Sequence, residues 1–193
     1  MKEILKLGGI LLLVTVIAGA ALSMINSITK PRIEEQKRLV TYRALIAALP
    51  TANPEAIDPV SENDEISYYI GYKTTKKQNI VGYAFVAKGS GYSSEIETMV
   101  GVDTTGTIKG IKIMQQVETP GLGTKVEEVR YGENFSWFQD QFLNHVAQGL
   151  AVDKDGGKII SVTGATISSR AVANSIKKGL SKLEKKVKGF KVN

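Results

Sequence analysis

Between Lys6 and Lys30 the chain carries no charged residue, and Leu7–Ile28 is almost uniformly apolar. A helix needs roughly 20 apolar residues to cross a bilayer. Inside lipid every backbone group must be paired within the segment, so helix is the only state open to a single span. Two readings fit the run. One is an uncleaved single span. The other is a secretory signal, with Lys2 and Lys6 as its basic start and Ala18-Gly19-Ala20 as its small residues. The length of the run and the basic flank Lys30, Arg32, Lys37 and Arg38 favour the retained span. Two basic residues precede the run and four follow closely, so charge alone would place the rest of the chain in the cytoplasm.

Pro31 suits the first turn of a second helical stretch over Ile33–Leu49, with Leu39, Tyr42, Leu45, Ile46 and Leu49 at helical spacing. Pro50 ends it, and residues 51–65 read as a polar, proline-bearing connection. This gives an anchor over 1–30, a helical stalk and linker over 31–65, and a domain over 66–193. Within the domain, Ser67–Tyr72 and Ile80–Ala87 predict one strand pair, and Glu95–Val102 and Ile108–Met114 a second with its turn at Thr104–Thr107. Trp137–Leu143 reads as helix and Lys158–Val162 as a strand. From Ser168 to about Val187, apolar residues Val172, Ile176, Leu180, Leu183 and Val187 step by three and four, which predicts a long last helix. Strands first and helices after give an α+β class with a mostly antiparallel sheet.

Composition removes several chemistries. There is no cysteine, hence no disulfide, no thiolate cluster ligand and no cysteine nucleophile. The one histidine, His145, cannot build a His-rich metal site, and no metal is expected. The net charge of +6 is local: residues 1–169 carry 17 basic and 18 acidic groups, whereas residues 170–193 carry 8 basic groups and only Glu184. The near-neutral remainder argues against nucleic acid as a partner.

Two loops carry the chemistry. Ser161–Ser169 (SVTGATISS) leads into the last helix, where orphan N–H groups and the helix dipole favour an anion. Ordinary capping by Ser or Thr explains the same residues without a ligand. It is not a Walker A loop, since Gly-Lys-Ser/Thr is missing. The second loop, Val117–Thr124 (VETPGLGT), holds a Pro-Gly turn and a second glycine. By itself it reads as an ordinary turn.

Together, Gln116–Gly123 (QVETPGLG) and Thr163–Val172 (TGATISSRAV) resemble the FMN-binding domain family, which includes the G subunit of the Rnf electron-transport complex and the C subunit of the sodium-pumping NADH:quinone reductase. Gly91–Ile96 and Val100–Asp103 resemble the strand signature ahead of the glutamate loop, and the single N-terminal span also matches. The short chain is more similar to the Rnf protein than to the longer quinone-reductase one. Many family members carry an aspartate where this chain has Ile160.

The resemblance implies that the Thr166 hydroxyl is esterified by the phosphate of FMN, through a flavin transferase that uses FAD. It implies flavin hydrogen bonds from Glu118 and Thr119, close backbone approach at Gly121 and Gly123, ring packing by Leu122, and phosphate contacts from Thr163 beside Gly164 and Ala165. It implies a redox subunit with no catalytic residue and no substrate turnover of its own. Such a subunit would work with other membrane subunits in ferredoxin–NAD electron transport coupled to Na+ or H+ movement. It also implies a single-pass inner-membrane protein with its domain outside the cytoplasm, against the charge count. Two alternatives stand beside it: a flavoprotein like the C subunit of the Na+-translocating NADH:quinone reductase, and a membrane-tethered interaction module without a cofactor.

Overall fold

The structure, a computed structural model, describes residues 1–62, 65–129, 132 and 136–191. It divides into two units, Met1–Val40 and Thr41–Asn193. From Lys2 on, the first unit is part of helix α1 (Lys2–Ala48), whose apolar stretch is long enough to cross a membrane and is exposed. Pro31 lies inside this helix and does not start a new one. A proline at the first turn and one in a helix interior leave the same trace in sequence, and here the apolar helix simply continues.

The second unit is built on a five-stranded antiparallel meander in the order β1-β2-β3-β4-β5. The strands are β1 (Ile57–Glu62), β2 (Glu65–Tyr72), β3 (Ile80–Ser90), β4 (Glu95–Asp103) and β5 (Ile108–Gln115). Strands β2 to β5 fall where alternation placed them. Strand β1 lies in the stretch read as an irregular connection, of which Asn63 and Asp64 fall outside the described residues. Its sequence, Ile-Asp-Pro-Val-Ser-Glu, has no apolar alternation, so pairing with β2 decides its state. It is an outermost strand, carries Pro59, and slips register between Val60 and Ser61.

Period-two alternation gives the sheet two apolar faces. One holds Ala84 and Met99, which pack with Tyr69 against Ala44, Leu45, Ala48 and Leu49 at the end of α1. These four, and not Tyr42 or Ile46, form the buried face; Tyr42 and Ile46 point to solvent. The contact is close because Gly101 and Gly110 are paired across β4 and β5. A Cβ on Gly101 would lie 2.0 Å from the Ala48 carbonyl oxygen, and one on Gly110 2.3 Å from that of Ala47. Only glycine lets this helix end approach so far.

The opposite face holds Phe85, Ala87, Ile96, Val100, Val102, Ile111 and Ile113. Against it lies α3 (Thr166–Lys186) through Val172, Ile176, Leu180 and Leu183, as the helical spacing predicts. Each such side chain contributes about 1.5–3 kcal/mol by leaving water. Phe138 and Phe142 complete this core. The stretch Trp137–Leu143 is helical only over α2 (Trp137–Asp140) and continues as turns. Its Gln139 accepts the Ile113 N–H at 3.0 Å and so closes part of the outer edge of β5.

Lys158–Val162 is not a strand; it makes one isolated parallel bridge, Val152 with Ile159. Its extended backbone is instead tied point by point. The N–H of Ile159 goes to the Ala151 carbonyl, and that of Ile160 to Gln141 Oε1. The N–H of Ser161 goes to Asp153 Oδ1, and that of Val162 to Ser169 Oγ. Extended conformation without a sheet partner is what alternation alone cannot detect.

Candidate functional site

Both chemical loops are tight turns with glycine in the left-handed region at the third position. In Thr119-Pro120-Gly121-Leu122 the Leu122 N–H reaches the Thr119 carbonyl at 3.1 Å, and Gly121 has φ 75°. Proline second and glycine third are what a type II turn demands. In Val162-Thr163-Gly164-Ala165 the Ala165 N–H reaches the Val162 carbonyl at 2.9 Å, and Gly164 has φ 78°.

The two turns face a shared cavity of about 580 Å³, lined by Tyr92, Glu118, Thr119, Leu122, Gly123, Gly164, Ala165, Thr166, Ile167 and Ser168. That volume lies in the range of small-molecule sites. The structure therefore brings together Glu118, Thr119, Leu122, Gly123, Gly164, Ala165 and Thr166. Gly121 and Thr163 stand within the turns but outside the lining. Tyr92, Ile167 and Ser168 also line the cavity; sequence reasoning misses Tyr92 and Ile167, and it offers Ser168 as a hydroxyl donor to an anion, whereas its hydroxyl goes to Glu118. The Gly91-Tyr92-Ser93-Ser94 string is the available signal for Tyr92, which is 73% exposed.

The start of α3 has no side-chain cap, because its cap position is Ala165. The nearby hydroxyls are occupied elsewhere. Ser169 Oγ accepts the Val162 N–H and donates to the Ala165 carbonyl, each at 3.0 Å. Ser168 Oγ donates to Glu118 Oε2 at 2.5 Å. The N–H of Ser169 returns to Ala165, which leaves the first-turn N–H groups of Thr166, Ile167 and Ser168 as the orphan donors of a helix start. Among the described residues the Thr166 hydroxyl makes no hydrogen bond, and it opens on the cavity. Capping therefore does not account for the hydroxyls of this loop, and the arrangement suits an anion.

Glu118 is the electrostatic centre of the site. It is 4% exposed. Its Oε1 accepts the N–H groups of Ser93 and Ser94 at 2.9 Å each and the Ser94 hydroxyl at 3.1 Å. Its Oε2 accepts the Tyr92 N–H at 3.0 Å and the Ser168 hydroxyl. Burial alone would raise its pKa, but the bonds from Ser168 and from the Ser93, Tyr92 and Ser94 N–H groups outweigh burial and hold it down at about 2. A Cβ on Gly91 would lie 2.6 Å from Glu118 Oε1, and one on Gly123 2.7 Å from Oε2. The bareness of Gly123 thus makes room for Glu118 and Ser168, a reason invisible in sequence.

Two acids flank the far side of the α3 start. Asp153 is held at about 2 by the hydroxyl and N–H of Ser161. Asp155 receives Arg170 at 2.6 and 2.7 Å, and this pairing lowers the pKa of Asp155 and raises that of Arg170. Ile160, with both backbone groups paired to Gln141, leaves its side chain 60% exposed. His145 is not among the lining residues, and no cluster of potential metal ligands occurs among the described residues.

Residues 91–181 match the model of the FMN-binding domain, and residues 1–47 that of the RnfG N-terminal region. Fold and site thus define the class, an FMN-binding domain preceded by a helix long enough to span a membrane. The chain is 33% identical over 178 residues to the G subunit of the ion-translocating oxidoreductase complex of Pasteurella multocida, covering 87% of each. It is 31% identical over 192 residues to the G subunit of the Na(+)-translocating ferredoxin:NAD(+) oxidoreductase complex of Acetobacterium woodii, covering 91% of this chain and 89% of that relative. The chain belongs to the family of G subunits of ion-translocating oxidoreductase complexes. Its fold is shared with the C subunit of the Na(+)-translocating NADH-quinone reductase of Parabacteroides distasonis, at a TM-score of 0.54 and 19% identity over 78% of this chain and 92% of that one.

Proposed function

We propose that the chain is an electron-carrying subunit whose FMN is joined by a phosphoester to Thr166, in a complex that moves electrons between ferredoxin and NAD and translocates Na+ or H+. The observation that supports this most is the unpartnered Thr166 hydroxyl at an uncapped helix start, opening on a cavity of flavin-compatible size. Attachment is a phosphoryl transfer catalysed by a separate flavin transferase. The Thr166 oxygen bonds to the FMN-side phosphorus of FAD, the pyrophosphate bond breaks, AMP leaves, and the hydroxyl proton passes to a base of the transferase. The remaining phosphodiester charge lies at the positive end of α3.

The bound flavin would supply reversible electron transfer, and the chain's own residues hold it. The N–H groups of Thr166, Ile167 and Ser168, with Gly164, Ala165 and Thr163 beside them, would surround the phosphate. Leu122, Ile167 and Tyr92 offer apolar surface to the ring, and Thr119 a hydroxyl. The carboxylate of Glu118 is fully engaged within the protein and serves the cavity wall better than the ring. The protein relays electrons between its partners in the complex without turning over a substrate itself. We place its domain outside the cytoplasm, following the family against the local charge count. Protection of the domain from added protease in cells with an intact membrane but an opened outer envelope would overturn that placement.

The test is expression with an active flavin transferase, denaturation, and ultraviolet fluorescence of the gel band beside a Thr166→Ala sample. A fluorescent wild-type band and a dark variant are expected. A dark wild-type band overturns the covalent link. Colourless native protein as well would leave the cofactor-free interaction module as the better account.

A further inference from the structure

We propose that Glu118 is a fixed negative charge that lowers the reduction potential of the flavin in this cavity, while it clamps the cavity's three walls together. The inference rests on the flavin reading above and goes beyond it.

The clamp is visible in the bonding. One carboxylate joins the turn after β3 (Tyr92, Ser93, Ser94), its own loop before the Pro-Gly turn, and the first turn of α3 (Ser168). The two outer segments lie 24 and 50 residues from Glu118 in sequence. Gly91 and Gly123 are bare against its two oxygens, so the wall is built around the carboxylate and not around a ligand at that point. Both oxygens are filled by protein donors, and all those donors are uncharged. Among the described residues no lysine or arginine pairs with Glu118.

The charge follows from the same bonds. Its hydrogen bonds keep Glu118 ionised far below neutral pH. It therefore cannot take up a proton when a neighbouring group becomes more negative. A flavin gains two electrons on reduction and up to two protons from solvent, and Glu118 supplies neither. Any electron not matched by a proton adds negative charge beside a carboxylate in a poorly hydrated wall, where charges interact more strongly than in water. The reduced form is disfavoured, and the potential falls.

The test uses full-length protein loaded by a flavin transferase and titrated with dithionite against a redox dye. Glu118→Gln removes the charge and keeps the shape. At a fixed poise it should raise the reduced-to-oxidised ratio about tenfold, close to 30 mV for a two-electron couple. Glu118→Asp keeps the charge but shortens the clamp. Its ratio should stay within twofold of wild type while its unfolding temperature drops. Ser168→Ala strips one donor and leaves the charge, so it should shift the ratio toward the oxidised form. This variant decides the matter should Glu118→Gln fail to fold or load. A Glu118→Gln ratio within twofold of wild type overturns the inference. So does a Glu118→Asp ratio that moves with it, or a Ser168→Ala ratio that is unmoved or shifts toward reduced. With a fluorescent wild-type band these outcomes overturn the electrostatic role alone; a dark band and colourless protein overturn the flavin reading and this role together.

Discussion

The two faces of the sheet receive their helices by opposite means. On one face the end of α1 settles through four apolar residues onto a pair of glycines, with helix carbonyls almost touching the strands. On the other, α3 packs through an apolar stripe along its length, but its first turn is fixed by a buried anion and a set of point attachments. Apolar contact is strong and non-directional. Charge-assisted hydrogen bonds to a carboxylate are directional and fix atoms in place. The molecule uses shape where it needs adhesion, and polarity where it needs a cofactor's mounting to stand still.

Breaking the apolar side should have the largest effect. Gly101→Val would put side-chain atoms where the Ala48 carbonyl lies, and neither strand nor helix backbone can yield cheaply. A loss of about 3 kcal/mol or more is expected in denaturant unfolding. A loss below about 1 kcal/mol would show that the helix end is not seated as described.

The polar side has its own signature in acid. Glu118 is ionised in the folded protein down to about pH 2 but protonates near its ordinary value when unfolded. Its contribution, about 3 kcal/mol, is complete above roughly pH 4.5 and fades as pH falls toward 2. The carboxyls of Asp103, Asp153 and Asp155 are also held low and push the same way. Glu118→Gln should cost about 2–3 kcal/mol at pH 7 and flatten the acid limb of the stability curve. An acid limb identical to wild type would remove Glu118 as the lock.

Smaller changes refine the comparison. Gln141→Ala unpairs both backbone groups of Ile160 and should cost about 1 kcal/mol, since water reaches that exposed position. Asp155→Asn weakens a partly exposed pair with Arg170, and surface pairs contribute little. The unfolding midpoint should barely move, and a marked fall would show the pair to be structural.

What the sequence revealed follows this division. Alternation located β2 to β5, and helical spacing located α3, because both elements bury one regular face. Strand β1 escaped, since its polar, proline-bearing residues are strand only by pairing. Lys158–Val162 misled in the other direction, being extended without a sheet. At the site, Thr166, Gly164 and Leu122 were legible from short motifs. Tyr92 was not, and the Ser168 hydroxyl was read as a donor to an anion, because the place of both is set by a carboxylate far away in sequence. The burial of Glu118 was equally hidden, since an acid in a loop reads as solvated until its donors are assembled around it.

The irregular edge of β1 has a meaning for crowded surroundings, where encounters between identical copies are frequent. An open strand edge is a template for copy-to-copy sheet growth there. Strand β1 has a missing donor at Pro59 and a slipped register beside it, and the opposite edge at β5 is partly occupied by Gln139. A neighbour offering a straight strand finds no matching ladder, and the sheet ends where the molecule ends.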